Sequence, residues 1–218
     1  MHLQSVLFDL DDTLHDKSAN LSAFARHQYE VFSLASHGVE RADWLMKYVE
    51  LNNRRIEKTE VFRLLRINFG LSETFAEGLR IDFDVNSGAQ TTPLPGLMTM
   101  LQACKARGLR IGVVTNGRDT FQRNKIRGLG IASVVDVVLT SGGFGVKKPD
   151  HRIFLACLDQ LHSRPETTAM VGDDFAADME PAISLGMHSI WKSPQTSTKV
   201  HFCSDDLDQI RIHLQGTR

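Results

Sequence analysis

The chain has 218 residues, 25 Lys and Arg against 26 Asp and Glu, 42% hydrophobic residues and three cysteines. That length suits one ordinary domain, or a compact core carrying a smaller insert, and excludes two large domains. A formal net charge of -1 speaks against a protein whose main task is neutralising nucleic-acid phosphates, and the ordinary apolar content excludes a disordered chain. Cys104, Cys157 and Cys203 are odd in number and lie in no C-x-x-C spacing, so they read as reduced, mostly buried thiols. The N-terminus lacks a basic segment leading into a long apolar one, and no run approaches the ~20 apolar residues of a membrane span. A soluble cytoplasmic protein is expected, with neither a membrane nor a nucleic-acid polymer as partner.

In chain order, Ser5 to Phe8 is a short apolar run that reads as a buried strand. The stretch from Asp16 to Gln90 then reads as helices without a strand. Leu21, Phe24, Ala25, Gln28 and Phe32 are spaced for one helix, Trp44 to Ile56 for a second, and Val61 to Phe69 for a third that stops at Gly70. Asn52, Asn53, Arg54 and Arg55 with Lys58 read as a solvated helix face, a substrate-reading patch being the alternative. From Thr91 onward, strands at Arg110 to Val114, Val135 to Leu139, Thr168 to Val171 and His188 to Trp191 alternate with helical segments, the pattern of a parallel sheet. Helices are expected at Pro95 to Arg107, Asp150 to Leu161 and Asp178 to Leu185, and a closing one at Ser204 to Leu214 with Ser204 as its N-cap. The expected fold is α/β: a Rossmann-like, doubly wound core formed by residues 1–15 and 91–218, interrupted after its first strand by a helical insert, 16–90.

Three of these strands break into small and polar residues at the same end: Asp9-Leu10-Asp11-Asp12-Thr13, Thr115-Asn116-Gly117, and Gly172-Asp173 through Asp178. A fourth piece, Lys147-Lys148-Pro149-Asp150, opens a helix on the same side. In an open parallel sheet the carboxyl ends of the strands share one edge, so the four clusters converge although over 160 residues separate the first from the last. Asp9, Asp11, Asp173 and Asp178 then face Lys148. Two like charges 4 Å apart repel by about 4 kcal/mol at an effective dielectric of 20, so the cluster calls for a cation or raised pKa values. The cluster holds no His or Cys, and all-oxygen donors suit Mg²⁺ better than zinc. Thr115, the amides of Asn116 and Gly117, and Lys148 are groups that bind phosphate. Asp9 is placed as nucleophile and Asp11 as acid and base, the pair titrating together with one pKa pushed up.

These four motifs, in this order at strand ends, resemble the haloacid dehalogenase superfamily of phosphohydrolases over nearly the whole core, Val6 to Trp191. The resemblance extends to its nucleotidase-like and phosphoglycolate-phosphatase-like branch. It implies hydrolysis of a small phosphorylated metabolite through an aspartyl phosphate, with Asp9 and Asp11 catalytic and Thr115, Asn116 and Lys148 binding phosphate. It further implies Mg²⁺ held by Asp9, Asp173 and the main-chain carbonyl of Asp11, Asp178 orienting Lys148 or a metal-bound water, and an insert that acts as a cap. Asp11 sets the chain apart from the dehalogenases, and Thr13 from the sugar-phosphate mutases, which usually carry Val there. A mutase-like phosphoryl transfer and a catalytically silent binding module remain as alternatives. Nucleotide, sugar phosphate and phosphoglycolate are left open as substrates, as is monomer against homodimer. Asp12 and Asp174 read as turn or capping residues, and His15 as a hinge residue.

Overall fold

The computed structural model describes residues 2–54 and 56–217; Arg55, part of the basic patch, lies outside them. Contacts divide the chain into two units, Met1–Asp16 with Pro93–Arg218, and Lys17–Thr92.

The first unit is built on a six-stranded parallel sheet in the order β3-β2-β1-β4-β5-β6. Its strands are β1 (Ser5–Phe8), β2 (Arg110–Thr115), β3 (Val137–Thr140), β4 (Thr168–Gly172), β5 (His188–Trp191) and β6 (Phe202–Cys203). The central strand β1 is buried throughout, as a strand covered on both faces must be, and its side chains serve two cores. Val6 and Phe8 pack with Leu101, Ile111 and Ile210 on one face, whereas Leu7 packs with Phe154, Cys157 and Met170 on the other. The alternation of faces follows from the two-residue period of a strand.

The sequence expectations for β1 and β5 agree with the structure, and β2, β3 and β4 differ by a residue or two at their ends. The two-residue β6 was not expected, being too short to carry a periodic signal. In this unit α5 to α10 are Leu97–Ala106, Asp119–Gly128, the single turn Ser141–Phe144, His151–Gln160, Glu180–Ser184 and Leu207–Gly216. Two expected starts are corrected. The closing helix α10 is capped by Asp206, whose side chain accepts from the Asp208 amide. Ser204 instead accepts from the Asp206 amide at 3.1 Å and shapes the preceding turn. The segment expected as a helix from Asp178 begins as a wide π-helical turn, Phe175–Met179, before α9.

The second unit is helical: α1 (Lys17–Val31), α2 (Arg41–Asn53), α3 (Lys58–Phe69) and α4 (Glu73–Asn86), with a short 3₁₀ turn at Leu34–His37. Its centre is aromatic, with Trp44, Tyr48, Phe62 and Phe83 in tilted and edge-to-face contacts at 5.4 to 6.2 Å. The Trp44 indole satisfies its buried N–H on the Ala25 carbonyl at 2.9 Å. α3 does end at Gly70, in the left-handed region at φ 65°. The basic patch is only partly a solvated face: Asn53 and Arg54 are exposed, but Asn52 is buried, donating to the Tyr48 carbonyl and accepting from Lys58.

Candidate active site

The parallel register decides which residues meet. Phe8 lies opposite Val113 on β2 and Val171 on β4, so Asp9, Thr115 and Asp173 emerge together at one edge. The Asp9 amide donates to the Val171 carbonyl at 2.9 Å, which ties the first motif to β4. Lys148 comes from the loop before α8 and is buried, while its neighbour Lys147 is exposed, which decides between the two lysines. Its ammonium donates to Asp9 Oδ1 at 2.5 Å and Asp178 Oδ1 at 2.6 Å.

Asp9, Asp173 and Asp178 each offer a carboxylate oxygen within 4.8 Å of the others. Thr13, fully buried, donates to Asp173 Oδ1 at 3.3 Å, and the Trp191 indole donates to the Asp173 carbonyl at 2.8 Å. Burial and the neighbouring Asp9 and Asp12 carboxylates push Asp173 up to about 7. Burial also raises Asp178, despite the Lys148 ammonium beside it. Lys148 moves up as well, since the two carboxylates outweigh its burial. Three crowded carboxylates, two of them sharing one ammonium, offer oxygen donors only and form a set that fits a hard divalent cation.

Asp178 reaches this set because Gly172 leaves room for it. A Cβ on Gly172 would stand 2.3 Å from Asp178 Oδ2. The bland readings hold nearby: Asp174 caps the π-helical turn, accepting from the Ala176 and Ala177 amides at 3.0 Å, and Asp12 occupies a turn at φ 58°.

The Asp11 side chain belongs to a different cluster. Lys125 donates to both of its oxygens, at 2.6 and 2.8 Å, Gln122 Nε2 donates to Oδ2 at 3.2 Å, and His15 Nδ1 lies 2.8 Å from Oδ1. The expected rise in one pKa of the Asp9 and Asp11 pair is therefore corrected for Asp11. Burial works upward, but the Lys125 ammonium and the His15 hydrogen bond hold it well below the usual carboxylate range.

The second motif is braced by the loops beside it. The Gly117 amide, expected to bind phosphate, donates to Ser141 Oγ at 2.9 Å. The Asn116 side chain clamps the Lys148 loop: its amide donates to the Lys148 carbonyl at 3.1 Å and its Oδ1 accepts from the Lys148 amide at 2.8 Å. Thr115 is buried and accepts from Gln122 Nε2 at 2.6 Å, which leaves its own hydroxyl proton to donate. Sequence reasoning missed Gln122 and Lys125. They share the inward face of α6 with Ile126, in a helix polar around most of its circumference, so the sequence carries no signal that singles them out.

Crowded carboxylates and a buried lysine at the carboxyl edge of an open parallel sheet suit the handling of an anionic substrate with a hard cation, and the comparisons give the class of protein. The profile of the haloacid dehalogenase-like hydrolases matches residues 3–186, and the chain belongs to that family. It is an enzyme of the family's phosphatase kind. The chain is 31% identical over 192 residues to the glyceraldehyde 3-phosphate phosphatase of Methanothermobacter thermautotrophicus, covering 86% of this chain and 84% of that one. A HAD phosphatase from Thermococcus onnurineus superposes with a TM-score of 0.69 at 25% identity, over 99% of this chain and 100% of that one. The magnesium-bound HAD hydrolase YfnB of Bacillus subtilis shares the fold, with a TM-score of 0.76 at 19% identity over 99% and 100% of the two chains.

Proposed function

We propose that the protein is a magnesium-dependent phosphomonoesterase that hydrolyses a small phosphorylated metabolite through an aspartyl phosphate on Asp9. The observation that carries this reading is the meeting of the Asp9, Asp173 and Asp178 carboxylates within 4.8 Å of one another, beside the buried Lys148 ammonium that pairs with Asp9 and Asp178.

Asp9 attacks phosphorus while Lys148 and the Thr115 hydroxyl hold the phosphoryl oxygens. The bond from phosphorus to the leaving oxygen breaks, and Asp11, whose free carboxylate is held ionised, relays to that oxygen a proton brought in by the phosphomonoester monoanion. In the second step Asp11 takes a proton from water as the water attacks the aspartyl phosphate. That releases inorganic phosphate and restores Asp9. Mg²⁺, held by Asp9, Asp173 and the Asp11 main-chain carbonyl, would supply the positive charge that lets an anionic nucleophile approach an anionic substrate. Asp178 fixes the Lys148 ammonium, and Asn116 fixes the backbone that carries it.

The glyceraldehyde 3-phosphate phosphatase relative supports a small sugar-phosphate-like substrate. The helical unit Lys17–Thr92 is read as the cap that selects it, in line with the resemblance. Purified protein is expected to hydrolyse p-nitrophenyl phosphate with Mg²⁺, to lose activity reversibly with EDTA, and to fall to background as Asp9→Asn. Full activity in the Asp9→Asn protein would end this reading.

A further inference from the structure

α6 carries two buried polar side chains, one turn apart, that the reaction as written above does not use. Gln122 is 1% exposed and Lys125 is 4% exposed. A lysine is seldom buried without a counter-charge, because desolvating an ammonium is costly unless it is paired and hydrogen-bonded. Here its partner is the Asp11 carboxylate, gripped at both oxygens, and the ammonium also lies 4.9 Å from the centre of the Phe121 ring.

Gln122 joins two halves of the site. Its single Nε2 group donates to Thr115 Oγ1 at 2.6 Å, to Asp11 Oδ2 at 3.2 Å and to the Asn116 carbonyl at 3.3 Å. The backbone makes room for it, since a Cβ on Gly117 would stand 2.9 Å from Gln122 Cγ, and Gly117 sits at φ 150°. With His15 added, Asp11 Oδ1 has two partners and Oδ2 has two, so one carboxylate orientation is over-determined.

We propose that Lys125 and Gln122 are positioning residues, forming one mount on α6 that aims the Asp11 carboxylate for proton transfer to the leaving oxygen and turns the Thr115 hydroxyl proton toward the phosphoryl group. The proposal rests on the phosphatase reading and adds to it the source of Asp11's orientation. A misaimed Asp11 costs most where the departing oxygen is a strong base that needs a proton to leave. It costs least where the departing anion is stable. A general loss of structure lowers both alike.

The test compares kcat/KM for phenyl phosphate and for p-nitrophenyl phosphate, with Mg²⁺, in wild type, Lys125→Met, Lys125→Arg and Gln122→Met. kcat/KM reports the first phosphoryl transfer, in which the leaving group departs. Because general acid catalysis contributes about 10²- to 10⁴-fold, Lys125→Met is expected to lower kcat/KM for phenyl phosphate by about a hundredfold, and for p-nitrophenyl phosphate at least tenfold less. Lys125→Arg is expected to recover part of the discrimination. Gln122→Met is expected to lose on both substrates through Thr115, with an extra loss on phenyl phosphate. Equal losses on the two substrates, or none, in folded variants of an active wild type would overturn this proposal alone. A wild type inactive on both would overturn the phosphatase reading and this proposal with it. Should Lys125→Met fail to fold by circular dichroism, Lys125→Arg and Gln122→Met decide by the same ratio.

Discussion

Asp9 and Asp11 are two residues apart, yet they sit in opposite electrostatic surroundings. Asp9 shares one lysine, Lys148, with Asp178 while the Asp173 carboxylate crowds in beside them, so its cluster is short of positive charge. Asp11 has Lys125 to itself, with His15 and Gln122 as further partners, so its cluster is balanced. The chain turns out of β1 between them, and each carboxylate meets the helix or loop that its side of the edge provides. The contrast teaches that a D-x-D pair is not one electrostatic unit: the cation-seeking half is the one whose lysine is oversubscribed.

The largest effect is expected from removing that lysine. Lys148→Met leaves the buried Asp9 and Asp178 carboxylates without their shared ammonium, and breaking a buried ion pair costs about 3 to 5 kcal/mol. Hydrolysis is expected to fall by at least two orders of magnitude. The thermal midpoint should drop sharply at pH 8 and recover at pH 5.5, where protonation relieves the repulsion. An equal drop at both pH values would break the contrast.

Gly172→Ala comes next, because a methyl group there meets Asp178 within 2.6 Å at three atoms. A loss of about 1 to 3 kcal/mol is expected from the overpacking, together with a weaker thermal response to Mg²⁺, measured by melting with and without the ion. An unchanged Mg²⁺ response would detach Asp178 from the cluster.

The pH dependence sharpens the comparison, since the two clusters have opposite signs. In metal-free protein Asp173 is raised to about 7, and Asp178 is raised too, so between pH 4 and 7 the folded state binds more protons than the unfolded state. Stability from this cluster therefore rises as pH falls through that window. Asp11 is lowered from 3.8, so its contribution is present above about pH 4 and lost as pH falls below it. Metal-free protein is expected to melt highest near pH 5, with Mg²⁺ raising the midpoint most at pH 7 and above. A midpoint that climbs steadily from pH 5 to 8 without metal would contradict the assignment.

The smallest effect serves as a control far from both clusters. Asp206→Ala removes the N-cap of α10 at a cost of about 1 kcal/mol, with catalysis unchanged. A loss of activity along with the melting shift would show that the closing helix reaches the site.

Much of the edge was legible in the sequence because parallel strands put their carboxyl ends together whatever their separation along the chain. Asp9, Thr115, Lys148, Asp173 and Asp178 announce themselves as polar residues following apolar runs. The second cluster was hidden for a physical reason: α6 is polar around most of its circumference, and nothing in Gln122-Arg123-Asn124-Lys125 says which polar residue points inward. The fold had the same division. The central strands are continuous apolar runs, whereas β6 is two residues long and the π-helical turn at Phe175–Met179 has no periodicity of its own. At α10 two good cap residues, Ser204 and Asp206, stand two residues apart, and only the hydrogen bonds choose between them.

The central claim is that Asp9 carries the phosphoryl group. Acid quenching during turnover of p-nitrophenyl phosphate with Mg²⁺, followed by peptide mass spectrometry, tests it most directly. The account predicts one phosphoryl group on the peptide containing Asp9, trapped in wild type and absent in Asp9→Asn. A phosphoryl group on any other residue during turnover, or steady hydrolysis by Asp9→Asn, would contradict it.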